Sequence, residues 1–379
     1  MSIKSSELIY LDYASTTPLC TPAKEAIVQA MENWGNPSSL HSLGRKARAQ
    51  MELARRQMAN VLNVLPAELY FTSGATESAN WVFSMAYKAG VHTFVTSPIE
   101  HKATLEAAAH WLHVGASIRH FRLTPEGNYD LNHLDEVLSE IKGQALVALL
   151  WVHNELGNIA LVGEVSNICR KHKALLFIDG VQAIGKYSTD LHQADFVSGS
   201  AHKFYGPKGT GFLFIHKSVQ NKSPLVAGGS QERSLRGGTE AAVLIPAMAA
   251  ALEYTHCYAE EMLARFVKLS SHLIELLEPL QPIFNGPKPL SEAHYPGIVN
   301  ICLPQESDTG RLLFALDLEG VAVSAGSACN SGSLKPSHVI SHLYPDRISM
   351  ANLRISLGIN TTEEEISRFV QILTACLPH

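Results

Sequence analysis

Residues 145–152 of this chain, Ala-Leu-Val-Ala-Leu-Leu-Trp-Val, are eight apolar residues in a row. A strand with one wet face alternates polar and apolar residues, whereas a strand that is apolar throughout is buried on both faces. A second such run, 175–178, ends at Asp179, and shorter strand-like runs lie at 69–72, 93–96, 118–123, 194–197 and 212–215. Helical segments separate them: one from 73–76 to about 88, one opening at 100–101, one over 131–141 and one over 165–172. Buried strands alternating with helices predict an α/β fold, a large domain with a mainly parallel sheet covered by helices.

The flanks read differently. Residues 8–11 form a short strand. Thr21 caps a helix that starts with Pro22 and carries Ile27, Met31 and Trp34 at helical spacing. A second helix over 45–62 presents Ala47, Met51, Ala54, Met58 and Val61 on one face. Beyond Ala241 comes a long helical region, 242–277, then strands at 298–303, 321–323 and 353–356 and helices near 309–318 and 363–373. This predicts a smaller α+β domain, with the division 16–255 for the large domain and 1–15 plus 256–379 for the small one.

Composition narrows the function. With 46% hydrophobic residues among 379, the chain can bury a sizeable core. A net charge of −5 and the lack of any basic run argue against a nucleic-acid or anionic-membrane surface. The longest mostly apolar run, 241–252, is too short to span a bilayer and contains Pro246, and the first residues lack a signal-peptide core. A soluble, cytoplasmic protein is expected. Cys20, Cys169, Cys257, Cys302, Cys329 and Cys376 form no Cys-x-x-Cys pair, and the 18 histidines form no His-Glu-x-x-His, so no metal and no disulfide framework are expected.

Ligands of parallel sheets sit beyond the carboxyl ends of the strands. After 69–72 comes Ser73-Gly74-Ala75-Thr76, entering a helix whose free N–H groups form a phosphate cradle. After 93–96 comes His101; after 145–152, His153, Asn154 and Glu155; after 175–178, Asp179 and Gln182; after 194–197, Ser200, His202 and Lys203. One ligand uses all of these: pyridoxal 5'-phosphate, with a phosphate, a basic ring nitrogen and an aldehyde. Asp179 is placed for the ring nitrogen, Lys203 for the Schiff base, His101 for the ring face, and Gly74, Ala75, Thr76, Ser200 and His202 for the phosphate. Lys208, in the Gly206–Gly211 turn, ranks below Lys203. The polar segment Arg236-Gly-Gly-Thr-Glu240 either reaches a phosphate or is a plain loop.

The second centre is Ser324-Ala-Gly-Ser-Ala-Cys329-Asn-Ser-Gly-Ser333, a small-residue run in which a cysteine is exposed and reactive. The other five cysteines lie mostly in packing contexts. Arg354 interrupts an apolar strand. A substrate carboxylate and an internal salt bridge are both open as its partner.

Taken together, these motifs resemble the cysteine desulfurases, pyridoxal-phosphate enzymes of the class V aminotransferase superfamily. The resemblance covers nearly the whole chain. It rests on Tyr10 to Pro18, Gly35 to Ser39, Phe71 to Ser78, Glu100-His101, Asn154-Glu155, Asp179 with Gln182, Ser200 to Gly209, Arg236 to Thr239, Gly326 to Cys329 and Arg354 to Gly358. It implies a type I aminotransferase-like fold and a homodimer. It implies Lys203 as the cofactor lysine, His101 as stacking and acid/base residue, Asp179 at the pyridine nitrogen and Gln182 at the ring hydroxyl. Thr76, Ser200 and His202 would take the phosphate, joined by Thr239 of the partner subunit. Asn154 and Arg354 would hold the carboxylate of L-cysteine. Cys329 would accept its sulfur as a persulfide, for delivery to an acceptor protein in iron–sulfur cluster assembly or tRNA thiolation. The same fold serves aminotransferases and selenocysteine lyases, which need the lysine but not the cysteine; a non-catalytic binding protein on this fold is the further alternative, and it has little reason to keep Lys203, Asp179, His101 and Cys329 together. Three features depart from the family pattern: His153 and Ala241 stand where asparagine is expected, and little tail follows the 361–373 helix.

Overall fold

A computed structural model describes residues 8–306, 308–326 and 336–378. Its strands in chain order are β1 (Ile9–Tyr10), β2 (Leu69–Thr72), β3 (Thr93–Thr96), β4 (Ser117–His120), β5 (Ala145–Leu150), β6 (Leu175–Asp179), β7 (Phe196–Ser200), β8 (Gly211–Ile215), β9 (Ile283–Phe284), β10 (Ile298–Leu303), β11 (Val321–Ala322) and β12 (Ala351–Ser356). Seven of them make the large sheet, in the order β2-β8-β7-β6-β5-β3-β4. Pairing is parallel from β7 across to β4, and β8 runs antiparallel to both β7 and β2. The other six strands therefore point the same way, and β2, β3, β5, β6 and β7 release their loops at one edge.

Both faces of this sheet are buried, as the unbroken apolar runs require. Along β5, Val147 and Leu149 pack on one side and Leu146 and Ala148 on the other. The first side meets Leu134 and Val137 of helix Leu131–Ser139, Val165 of helix Val162–Lys171 and Met248 of helix Leu244–Cys257. The second meets Trp81, Phe83 and Met85 of helix Ala75–Lys88 and Ala107 and Ala108 of helix Lys102–Ala109. A separate sheet, β12-β10-β9, is antiparallel and packs under helix Glu363–Cys376 through Phe369 and Leu373, while β1 pairs in parallel with β11.

Several boundaries differ from the sequence reading. The apolar run 145–152 leaves the ladder after Leu150: the Trp151 N–H closes the last rung on the Asp179 carbonyl, and Val152 instead bridges Ile159. The expected strand 118–123 is Ser117–His120, and the expected 242–277 helix is two, Leu244–Cys257 and Ala259–Leu277, broken at Tyr258. Pro246 is harmless because it lies in the first turn, where no N–H is needed. Cys20, in extended geometry, precedes helix Thr21–Met31 where Thr21 was expected to cap it. Met31 and Trp34, read as part of an apolar stripe, are exposed, as is Val28. Among the cysteines read as packing residues, Cys20, Cys169 and Cys302 are buried but Cys257 is exposed.

Candidate active site

The loops leaving β2, β3, β5, β6 and β7 surround a cavity of about 480 Å3. Gly74, Ala75, Thr76, His101, Asn154, Asp179, Gln182, Ser200, His202, Lys203 and Arg354 all line it. Strand register brings them together: Thr72 at the end of β2 pairs with Gly211, and Gly211 pairs with Ser200 at the end of β7. The approach is close. A Cβ on Gly211 would sit 2.7 Å from the Gly74 Cα and 2.5 Å from the Gly199 carbonyl oxygen. Gly74 itself has φ of +155°, so the turn into helix Ala75–Lys88 suits glycine. The result is a helix N-terminus, with its unpaired N–H groups, beside the Ser200 hydroxyl.

Lys203 follows β7 in the turn Ala201–Lys203, and its Nζ donates to the carbonyls of Ala14 at 2.6 Å and Ser15 at 2.8 Å. Asp179 is buried at the end of β6, where its Oδ1 accepts the Val181 N–H at 3.1 Å. Burial pushes its carboxyl up to about 6, offset in part by the Val181 hydrogen bond and by Lys203. A protonated ring nitrogen set against Asp179 would restore the charged form, which is the fit pyridoxal phosphate requires. Gln182 donates from Nε2 to the Ala14 carbonyl at 2.8 Å and accepts at Oε1 from Lys186 Nζ at 3.1 Å.

His101 caps helix Lys102–Ala109, its Nδ1 accepting the Ala103 N–H at 3.1 Å. Burial first, then Lys203, hold its pKa down to about 4, so the ring is neutral and carries its proton on Nε2. His202 is likewise depressed to about 4 by burial and then Lys203, and its Nδ1 lies 3.2 Å from the Thr16 hydroxyl. His153 is buried; its Nδ1 accepts the N–H groups of Glu155 and Leu156 at 3.1 and 3.2 Å, and its Nε2 faces the Ile99 carbonyl at 2.9 Å. In this chain that position orders the turn carrying Asn154.

Both partners left open for Arg354 bear on its place. Its Nη2 donates to Asp12 Oδ1 at 2.8 Å and to Ser15 Oγ at 2.6 Å, and its Nη1 to the Asn154 carbonyl at 2.9 Å. The salt bridge therefore exists. Yet Nε is buried with no hydrogen-bond partner among the described residues, and the side chain borders the cavity. A donor buried without an acceptor is costly, and a bound carboxylate would relieve that cost.

Thr239 does not border the Lys203 cavity. It lines a smaller neighbouring one of about 110 Å3 with Ser73, Gly209 and Arg236. Arg236 is engaged by Glu77 at 2.8 and 3.2 Å, at the start of helix Ala75–Lys88. Lys208 also lines the main cavity. Cys329 lies outside the described residues.

Sequence reasoning missed the residues that brace this site. Asp12 and Ser15 anchor Arg354 from a segment quoted only as a motif. Lys186 has no local signature; burial, then Lys203, draw its pKa down to about 7. Glu100 was noted beside His101, but its work lies elsewhere. Fully buried, it accepts from Ser97 at 2.6 Å, Tyr129 at 2.8 Å and the Leu150 N–H at 2.6 Å, tying the His101 loop to the end of β5.

The model of the family described as Aminotransferase class-V matches residues 9–369. A protein of Dictyoglomus turgidum named Cysteine desulfurase IscS is 36% identical over 376 residues, 96% of this chain and 93% of its own length. One of the same name from Methanosarcina thermophila is 35% identical over 378 residues, 97% of this chain and 91% of its own length. Among solved structures, one titled NifS-like protein superposes with a TM-score of 0.88 at 33% identity, covering 97% of this chain and 99% of that one.

Proposed function

The chain belongs to the aminotransferase class-V family and is a cysteine desulfurase within it; we propose that it converts L-cysteine to L-alanine with pyridoxal 5'-phosphate, passing the sulfur to Cys329 as a persulfide. The observation that carries this reading is the meeting of Lys203, Asp179, a helix N-terminus and Arg354 in one cavity.

When bound, pyridoxal phosphate supplies an aldehyde for the substrate amine and a ring that draws electrons from Cα. The N–H groups at Gly74, Ala75 and Thr76, with Ser200 and His202, would hold its phosphate. Asp179 would hold a proton at the ring nitrogen, Gln182 would donate to the ring hydroxyl, and neutral His101 would face the ring with Nε2–H as donor. Arg354 and Asn154 fix the substrate carboxylate. The Lys203 amine takes the Cα proton and returns one. The Cys329 thiolate then attacks the substrate sulfur: the substrate C–S bond breaks, an S–S bond forms on Cys329, and the freed carbon takes a proton to become alanine.

The working unit is a homodimer in which Thr239 serves the partner's phosphate site. Exposed Val28, Met31, Trp34 and Leu40, close together in sequence, are apolar surface such an interface would cover. The division into 16–255 and 1–15 plus 256–379, a cytoplasmic location, and delivery of sulfur to an acceptor protein for iron–sulfur clusters or tRNA thiolation belong to the same proposal. No helix among the described residues is long and apolar enough to cross a membrane.

The test is incubation of the pure protein with L-cysteine, reading alanine and protein-bound sulfane sulfur together. Cys329→Ser should abolish persulfide transfer to an added acceptor. Transfer at the original rate in that variant would remove Cys329 from the mechanism, and keto-acid-dependent turnover without sulfane sulfur would point to an aminotransferase.

A further inference from the structure

At the edge of the large sheet opposite the Lys203 cavity, three side chains far apart in sequence converge. Glu68 directly precedes β2, His192 lies in the turn Leu191–Gln193 before β7, and His216 directly follows β8. Register explains their meeting, because Leu69 pairs with Phe214 and Phe196 with Ile215. One ligand-capable atom from each lies within 4.8 Å of the others. The two imidazoles stand 5.6 Å apart at 85°.

Each side chain already has one polar atom tied to a neighbour. His192 Nε2 lies 3.0 Å from the Asn63 carbonyl, which leaves Nδ1. His216 Nδ1 lies 2.6 Å from the Ser218 hydroxyl and accepts the Ser218 N–H at 3.3 Å, so Nε2 becomes a ligand atom when the ring proton moves to Nδ1 and is given to that hydroxyl. The buried Glu68 carboxylate accepts one N–H at each oxygen, from Leu65 at 3.0 Å and Lys217 at 2.9 Å, so each oxygen keeps a lone pair. Metal ligands are oriented in this way: a ligating histidine gives its second nitrogen to a carbonyl or another polar group, and a ligating carboxylate is itself hydrogen-bonded. Two imidazoles and a carboxylate with an open position make a donor set suited to zinc, cobalt or nickel. Tetrahedral zinc needs ligand atoms roughly 3.3 Å apart, so binding would draw the three side chains together from separations of up to 4.8 Å.

We propose that Glu68, His192 and His216 form a site for a divalent ion of the zinc class, completed by water, that ties the segments preceding β2 and β7 to the one following β8. The role is structural, and the ion lies at the far edge of the sheet from the chemistry.

The experiment titrates untagged, cofactor-loaded enzyme with Co2+, then competes with Zn2+. Wild type should bind one Co2+ per chain with visible ligand-field absorption and gain thermal stability on binding. His192→Asn and His216→Asn should each weaken binding at least about tenfold and leave the desulfurase rate unchanged. A Cys257→Ser/Cys329→Ser variant, which removes competing thiols, should bind as wild type does. Absence of binding by wild type, wild-type affinity in both histidine variants, or loss of binding with the cysteines would each overturn the proposal.

Discussion

The Lys203 Nζ donates to the Ala14 carbonyl oxygen at 2.6 Å, across 189 positions of sequence. The N-terminal segment thus closes the cavity around the lysine and also meets Gln182 and Arg354 there. Lys203→Ala should lower alanine formation by at least about 10^3-fold, since both amine chemistry and proton transfer depend on one group. The check is single-turnover alanine release. A residual rate within tenfold of wild type would mean that another lysine, Lys186 or Lys208, does this work.

Arg354 is held by Asp12 and Ser15, so its geometry depends on the same N-terminal segment. Arg354→Lys should raise KM for L-cysteine by about tenfold or more, because an ammonium cannot reproduce the planar fork. Asp12→Asn should act in the same direction with a smaller change. Steady-state kinetics separate these effects from a loss of kcat, and an unchanged KM in Arg354→Lys would remove the arginine from carboxylate binding.

Lys186 gives a pH signature in the cofactor-free protein. Its pKa falls from 10.5 to about 7 through burial, then Lys203. Its contribution is therefore fully present above 10.5 and is lost as pH falls towards 7, since the unfolded chain takes the proton first. Lys186→Met removes this slope, so relative to wild type it should gain up to roughly 4 kcal/mol between pH 10.5 and 7. Urea melts of both proteins at the two pH values give the difference, and parallel changes would count against a depressed lysine.

The loop leading to Arg236 and Thr239 hangs on a buried ion pair. Glu232 accepts from Arg55 at 2.6 and 2.9 Å and from the Phe71 N–H at 2.9 Å, while Glu232 and Arg233 adopt positive φ. Glu232→Ala leaves the buried Arg55 guanidinium only the partly exposed Glu52 carboxylate, 3.1 Å from Nε, and should destabilise the fold by up to about 3–5 kcal/mol. Equilibrium unfolding measures the loss. A cost near zero would mean that water reaches Arg55.

Much of the fold was legible because burial on both faces leaves a local trace. The apolar runs at 145–150 and 175–178 and the helices between them suffice to predict a covered parallel sheet. Exposed apolar surface leaves the same trace as buried surface, so Met31 and Trp34 were misread. The cavity residues were legible because strand ends in a parallel sheet share an edge, which turns sequence position into spatial position. Asp12, Lys186 and the Glu68, His192 and His216 group carried no such signal. Asp12 meets Arg354 and Lys186 nears Lys203 only through the fold, and strand register alone sets Glu68, His192 and His216 adjacent.

Sequence alone determined the strand-and-helix alternation, the strand-end residues from Gly74 to Lys203, and the presence together of that lysine and Cys329, on which the proposed sulfur transfer rests. Tertiary structure decided what holds them. The Ala14 carbonyl meets Lys203, Asp12 braces Arg354, and Asp179 is buried deeply enough for its carboxyl to rise to about 6. The reason is that local propensity and patterning act over a few residues. Desolvation and hydrogen bonding depend on which distant segments are brought within 3 Å or so of each other.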